Sequence, residues 1–161
     1  MRANDAFRTE LHTTIRDIGA WADGLTDVAR VEVAETAEHW QLRLSPRVPS
    51  ACPVEIVLYS DQSYDVIVGQ ETYEGRPLDD LTEIPRLLAA IAEGRVISRE
   101  WTTVATGARH SIATVVELAD GDRWSGERSD DVIGRVAGRE ACAVRDRHYV
   151  PYRCHFARQA S

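Results

Sequence analysis

The sequence contains no lysine, and all 19 of its basic residues are arginine. This absence excludes Schiff-base chemistry, the lysine of a phosphate-binding loop and a serine–lysine dyad, because each requires an amine side chain. Cysteine is scarce as well. The three cysteines, Cys52, Cys142 and Cys154, are few and odd in number, which does not suit a disulfide framework. Stability therefore has to come from a hydrophobic core, which a single domain of 161 residues is long enough to bury.

Long hydrophobic runs are also missing. The longest purely apolar run covers residues 87–92, whereas a helix that spans a bilayer needs about 20 such residues. Residues 1–24 carry Asp5, Glu10 and Asp17 and have no apolar stretch of the kind that a secretory signal requires. We therefore expect a soluble, cytoplasmic protein with no membrane partner.

Sequence motifs for common chemistries are absent too. No two glycines stand two positions apart, so no G-x-G-x-x-G dinucleotide loop exists, and neither G-x-S-x-G, H-E-x-x-H nor C-x-x-C occurs. Only sites assembled from distant residues remain open. We expect no cofactor and no metal, assign no catalytic residue, and favour a protein that is not an enzyme.

The acidic and basic residues are unevenly distributed. Residues 1–134 hold 13 arginines and 24 acidic residues, a charge of −11, whereas residues 135–161 hold six arginines and two acidic residues, a charge of +4. We interpret the chain as one domain, residues 1–161, with a basic C-terminal segment at residues 135–161. An acidic body is unsuited to nucleic acid, where phosphate neutralisation dominates affinity, so the basic segment faces either that body or an acidic partner.

Two amphipathic helices can be located from their apolar periodicity. A stripe at helical spacing predicts a first helix that ends near Gly24; its members are Phe7, Leu11, Ile15, Ile18, Ala22 and Leu25. A second stripe predicts a helix that begins with Pro85 in its first turn and ends at Gly94; its members are Leu78, Leu81, Ile84, Leu88 and Ile91.

The remaining chain is strand-like and falls into hairpin-sized pairs. Residues 39–45 alternate, with Trp40, Leu42 and Leu44 on one face, and the Asp120-Gly121 pair is a strong hairpin turn. Residues 71–78 contain Gly75 and Pro77 and are interpreted as a loop. The order α, four strands, α, three strands predicts an α+β fold with a mainly antiparallel sheet of about six to eight strands and two helices packed on it.

Acidic pairs and tryptophans are weighed as possible sites. The pairs Asp79-Asp80 and Asp130-Asp131 offer Mg²⁺ ligands, but we interpret both as starts of helical turns, where carboxylates favour the positive end of the helix dipole. Trp101 and Trp124 stand near arginines, a combination that protein interfaces enrich, although burial of each ring under a stacked arginine is favoured.

The densest group of reactive side chains lies at residues 147–156. Period-two alternation predicts a half-buried strand here, with His148, Tyr152 and Cys154 on the buried face. The opposite face is predicted to be cationic. On a regular strand the histidines and Cys154 cannot converge on one nucleophile or one metal, and only a bend at Pro151 brings them together. The predicted exposed face carries Arg147, Tyr149, Arg153 and His155.

Three functional hypotheses follow. The first is a small bacterial-type binding protein, of the immunity or antitoxin kind, that contacts a protein partner through Trp101, Trp124 and the cationic face of residues 147–155. The second is a small-molecule-binding domain or enzyme with an acid–base site between sheet and helices, for which Asp61, His110 and His148 are candidates. The third is self-association through the edge strand at residues 142–156, as a homodimer.

Overall fold

The computed structural model describes residues 3–129 and 142–153. Within these ranges the chain forms two helices, α1 (Ala3–Asp23) and α2 (Glu83–Ala92). It also forms nine strands: β1 (Ala29–Glu35), β2 (His39–Pro46), β3 (Val54–Tyr59), β4 (Ser63–Val68), β5 (Glu71–Pro77), β6 (Val96–Thr103), β7 (Arg109–Glu117), β8 (Arg123–Ser129) and β9 (Cys142–His148).

The first sheet is an antiparallel meander in which β1 to β5 each pair with the next strand. The predicted alternation in β2 is confirmed, because Trp40, Leu42 and Leu44 are buried. Their cross-strand partners on β3 are also buried; these are Leu58, Ile56 and Val54. The face that β2 and β3 share is therefore apolar.

Both predicted helices are present and contribute to the same core. Helix α1 buries Leu11, Ile18 and Ala22, and α2 buries the residues Ile84, Leu87, Leu88, Ala90 and Ile91. These side chains join the apolar face of the first sheet in a single hydrophobic cluster. Pro85 lies in the first turn of α2, where its missing N–H costs no intrahelical hydrogen bond.

The second sheet has the order β8-β7-β6-β9, and all of its pairs are antiparallel. Strands β7 and β8 are joined through the predicted turn at Gly121, which has a φ of 88°. Strand β9 returns from a distant part of the chain to pair with β6, with His148 opposite Ile97 and Cys142 opposite Thr103. It forms one edge of this sheet.

The two sheets are joined by aromatic residues. The Tyr73 hydroxyl on β5 donates to Thr114 Oγ1 on β7 at 2.7 Å, and Trp124 Nε1 on β8 donates to the Tyr64 hydroxyl at 2.9 Å. The Tyr73 ring meets Trp124 edge to face, with centroids 5.4 Å apart, and lies over Gly126. We call the contact between the two sheets the joint, and we call Tyr64, Tyr73, Trp124 and Gly126 its closed end.

The predicted α+β class, the antiparallel pairing and the two helices are confirmed, but the strand count and order are corrected. The described residues form nine strands in two sheets, not six to eight in one. Strand β5 lies in the segment interpreted as a loop, because Gly75, with φ 63°, makes a bulge within the strand. Its N–H donates to Asp65 Oδ1 at 2.7 Å, so the glycine serves the β4–β5 pair.

The predicted half-buried strand at the C-terminus is also corrected. Strand β9 is exposed at every position, so His148 lies at the surface, whereas Tyr149, predicted to be exposed, is buried. The reason is that Tyr149 pairs with Val96 on the inner face of the sheet, which is covered there by Gly69, and that Tyr152 follows against α2, where its N–H donates to the Ala92 carbonyl at 2.8 Å. Burial of Tyr152 is as predicted, and its hydroxyl donates to the Cys52 carbonyl at 2.6 Å. Cys154 and His155 lie outside the described residues.

Candidate ligand-binding cleft

A cleft of about 530 Å³ opens between the second sheet and the turn that joins β4 to β5. Most of its lining is polar or charged. The residues are Gln70, Glu71, Ser98, Glu100, Arg109, Ile112, Arg145, Asp146, Arg147, His148 and Tyr149.

The cleft exists because the inner face of the second sheet changes its chemistry along the strands. At the closed end, Val96, Val116 and Trp124 are buried and apolar. Further along β6 the same face carries Ser98 and then Glu100, which stand opposite Arg147 and Arg145 on β9. Charged side chains retain their hydration, so the two sheets separate where these residues begin.

The floor of the cleft holds a buried carboxylate. Glu71, at the start of β5, is only 6% exposed, and its Oε1 accepts a hydrogen bond from Arg109 Nη1 at 2.8 Å. The partner guanidinium is about half exposed toward the cleft. A buried charge needs such a partner, so Arg109 is fixed by Glu71 and contributes no net charge to the cleft.

Tyr149 forms the wall where β9 leaves the sheet. Arg147 Cζ lies 4.8 Å from the centre of the Tyr149 ring, and this cation–π contact orients the guanidinium. Burial raises the pKa of Tyr149, so its phenol is neutral at neutral pH. The phenol packs against Gly69, where an added Cβ would lie 2.6 Å from its oxygen.

Cys52 lies behind Tyr149 and is a structural residue. Burial raises the pKa of its thiol to about 12, so the side chain is a neutral thiol at neutral pH. Because the thiolate is the nucleophilic form, Cys52 is unsuited to nucleophilic chemistry in this environment.

The electrostatic character of the cleft comes from Arg145 and Arg147. Both lie on the inner face of β9, and neither makes an ion pair with a carboxylate among the described residues. Asp146 between them belongs to the outer face, where Arg99 Nε and Nη2 each donate to it at 2.7 Å and lower its pKa. Glu100, the third carboxylate of the lining, stands opposite Arg145 in the β6–β9 register and makes no ion pair within the described part of the chain. Two adjacent guanidinium groups are thus available for carboxylate or phosphate oxygens.

The structure divides the residues predicted to bind a partner. Arg147 and Tyr149 lie together in the cleft. Trp124 is 3% exposed and belongs to the closed end, and Trp101 is half-buried on the outer face of the second sheet, opposite Val144. His155 lies outside the described residues.

Arg153, the remaining predicted residue, does not face the cleft. Its two terminal nitrogens donate to the Asp27 carboxylate at 2.6 and 2.8 Å, and one of them also donates to the Gly24 carbonyl at 2.7 Å. This part of the basic segment lies on the protein's own acidic body, one of the two arrangements that the charge distribution suggested.

The other sites considered from the sequence lie elsewhere. Of Asp61, His110 and His148, only His148 lines the cleft. Asp80 accepts from Thr82 N and Oγ1 at 2.9 and 2.7 Å at the start of α2, as expected for a helix-initiating carboxylate, and the pair Asp130-Asp131 lies outside the described residues. No cluster of three or more histidine, cysteine or acidic residues with metal-binding geometry occurs in the part of the chain that the structure describes.

Several cleft residues had no signal in the sequence. Glu71 and Arg109 are 38 positions apart, and only the fold brings them together. Arg145 did carry a signal, because it stands two positions before Arg147 and therefore on the same face of a strand.

Comparisons with known proteins give no relative for this arrangement. The chain matches no model of a protein family, no curated protein and no solved structure. Among the described residues, no helix has the length and apolar character needed to cross a bilayer. The protein is therefore classified by its fold alone, as an α+β protein with two antiparallel sheets and a cationic cleft beside an edge strand.

Proposed function

We propose that this protein is a non-enzymatic binding protein that contacts an acidic region of a protein partner through Arg145 and Arg147. One observation carries the proposal: two guanidinium groups share one face of an edge strand and have no ion-pair partner among the described residues. In a chain with a formal charge of −7, cations placed together in this way favour an anionic ligand.

The surroundings of these arginines support a protein ligand. Strand β9 is exposed along its whole length, so a chain lying beside it has continuous access to the cleft. Nucleic acid is disfavoured because the acidic body repels a phosphate backbone over any larger contact. An immunity protein or antitoxin, which neutralises a partner by docking on it, is the kind of activity that such a surface suits.

The test is affinity capture with matched charge-reversal variants. The cleft variant combines Arg145→Glu and Arg147→Glu, and the control combines Arg30→Glu and Arg123→Glu, two arginines that are well exposed in other strands. We expect a stoichiometric protein partner on the wild type and the control, and its loss on the cleft variant. A cleft variant that keeps the partner, or a wild type that captures none, contradicts the proposal.

A second candidate function is the binding of a small anionic molecule in the same cleft. The observation in its favour is the volume of about 530 Å³, which lies within the range of small-molecule sites. Thermal unfolding in the presence of di- and tricarboxylates and sugar phosphates tests it. A rise in Tm that the cleft variant abolishes supports this candidate, and unchanged Tm values with every compound remove it.

A further inference from the structure

We infer that β9 accepts an extended acidic segment of the partner as an additional strand of the second sheet, with acidic side chains at every second position directed toward Arg145 and Arg147. This inference rests on the proposed function and specifies how the partner binds. It follows from the backbone of β9, from the alternation of its side chains and from its charge pattern.

The backbone of β9 has polar groups directed away from the sheet. The Tyr149 N–H donates to the Val96 carbonyl at 3.3 Å, so Tyr149 and Val96 form a hydrogen-bonded pair. Hydrogen-bonded and non-hydrogen-bonded pairs alternate along an antiparallel ladder. In the observed register, Arg147 and Arg145 therefore also direct their N–H and C=O groups toward β6. The N–H and C=O groups of Val144, Asp146 and His148 therefore point away from β6.

A contact at the end of β9 confirms this direction. The Val150 N–H, which belongs to the same alternating set as that of His148, donates to the Ser50 carbonyl at 3.2 Å, on the side away from β6. Ala51 and Val150 form a parallel bridge there. The edge of β9 is thus occupied at Val150, while at 144–148 β6 is its only strand neighbour among the described residues.

The side chains of β9 alternate between two different environments. By alternation, Arg145 and Arg147 stand on the inner face of the sheet, whereas Val144, Asp146 and His148 stand on the outer face, from which Asp146 and His148 also border the cleft. A strand added to this edge places alternate side chains next to each of these rows. Carboxylates fit the row beside the arginines, and uncharged residues fit the other row, where Val144 is 55% exposed.

The same charge pattern argues against a second copy of this chain at this edge. A two-fold pairing of β9 centred on Asp146 would place Arg145 of one copy opposite Arg147 of the other. A pairing centred on either arginine would place that arginine opposite itself. Like charges directly opposite each other are destabilising, so these three registers are disfavoured for a second copy, whereas an acidic strand pairs favourably with both arginines.

The experiment uses a defined probe and the full chain. The probe is a fluorescein-labelled, end-blocked octapeptide of four Glu-Thr repeats, and its binding is followed by fluorescence anisotropy at low salt. Two analogues carry N-methyl groups either on two central threonines or on two central glutamates. The glutamates stand opposite Arg145 and Arg147, whose N–H groups are used by β6, so only the threonine N–H groups face β9 in an added strand. We therefore expect the threonine-methylated analogue to lose about tenfold or more in affinity and the glutamate-methylated analogue to bind like the parent, and the reverse order contradicts strand addition.

A pair of variants tests the same edge from the protein side. Val144→Pro removes an N–H that points away from β6 and leaves the β6 ladder intact, which an edge strand tolerates. Val144→Ala keeps the N–H and serves as the control. We expect the proline variant alone to lose about tenfold in affinity for the probe while both keep the wild-type Tm and circular dichroism spectrum.

The outcomes separate this inference from the proposed function. Equal behaviour of the two N-methyl analogues, or of the two Val144 variants, overturns strand addition even if Arg145→Glu with Arg147→Glu abolishes probe binding, in which case the proposed function stands. Probe binding that survives this charge reversal overturns both. Sedimentation velocity at high micromolar concentration is expected to show a monomer, and a dimer that Val144→Pro dissociates would assign the edge to a second copy.

Discussion

The closed end and the cleft occupy the same face of the second sheet and differ in almost every physical respect. At the closed end, Trp124, Tyr73 and Gly126 interlock, and the buried hydroxyls are paired with each other. At the cleft, arginines and carboxylates lie on or beside that face, and every residue of β9 is exposed. One end has the features that stabilise a fold, and the other carries the arginines that we propose contact a partner.

This separation predicts that substitutions at the two ends have different consequences. Changes at the closed end should lower the free energy of unfolding, and changes at the cleft should leave it nearly unchanged while they remove binding. Surface substitutions away from caps, glycines and buried networks usually shift stability by less than about 0.5 kcal/mol.

The largest effect is expected for Trp124→Ala. The substitution removes a ring that is only 3% exposed, together with its edge-to-face contact with Tyr73 and its hydrogen bond to Tyr64. Replacing a buried tryptophan by alanine typically costs about 3–5 kcal/mol. Urea unfolding measures this loss, and Trp101→Ala, at a half-buried site on the outer face, is the control with an expected cost of about 1 kcal/mol. Similar losses for the two variants would contradict the assignment of Trp124 to the joint.

A smaller loss is expected for Gly126→Ala. A Cβ at this position would lie 2.5 Å from Tyr73 Cε1, so the ring that joins the two sheets has to shift. Overpacking of this kind costs about 1–3 kcal/mol. The matched control is Gly19→Ala in α1, where no atom lies within 4 Å of the added carbon and the expected change is a gain of about 0.5–1 kcal/mol. Changes of the same sign in both variants would refute the steric argument.

The sequence predicted local elements of the fold better than it predicted the cleft, for physical reasons. The alternation of Trp40, Leu42 and Leu44 and the turn at Gly121 depend on neighbouring residues, and both were predicted correctly. The ion pair of Glu71 with Arg109 depends on strands that meet only in the folded protein. No local pattern in the sequence carries such a contact.

Strand β9 shows a second limit. Period-two alternation correctly identified a strand near the C-terminus, but it assigned burial to the face with His148. Alternation tells which residues share a face, whereas burial depends on what covers that face. Gly75 shows the reverse case, since a residue typical of loops forms a bulge inside β5.

At the cleft, Arg147→Ala should separate stability from binding. The substitution removes the cation–π contact with Tyr149, which is worth about 0.5–1 kcal/mol at an exposed site, and it removes half of the available positive charge. Urea unfolding should therefore show a small loss, while anisotropy with the Glu-Thr octapeptide should show a loss of about tenfold or more. Arg147→Lys keeps the charge but not the planar fork, and intermediate affinity is expected. A loss of stability as large as that of Trp124→Ala would contradict the separation of the two ends.

The smallest effect is expected for the ion pair on the outer side of the cleft. Arg99 lowers the pKa of Asp146 below its ordinary value of 3.8 by donating two hydrogen bonds to the carboxylate. A carboxyl group whose folded pKa is lowered stabilises the protein above its unfolded pKa, and this contribution is lost as the pH falls through the folded value. The urea midpoint of the wild type should therefore fall when the pH is lowered from neutral to values below 3.8, and it should fall less in Asp146→Asn. The two proteins should differ most at neutral pH. Asp146 is exposed, so the shift is expected to be small and to shrink further in high salt. An acid dependence identical to that of the wild type would show that this pair does not stabilise β9 on β6.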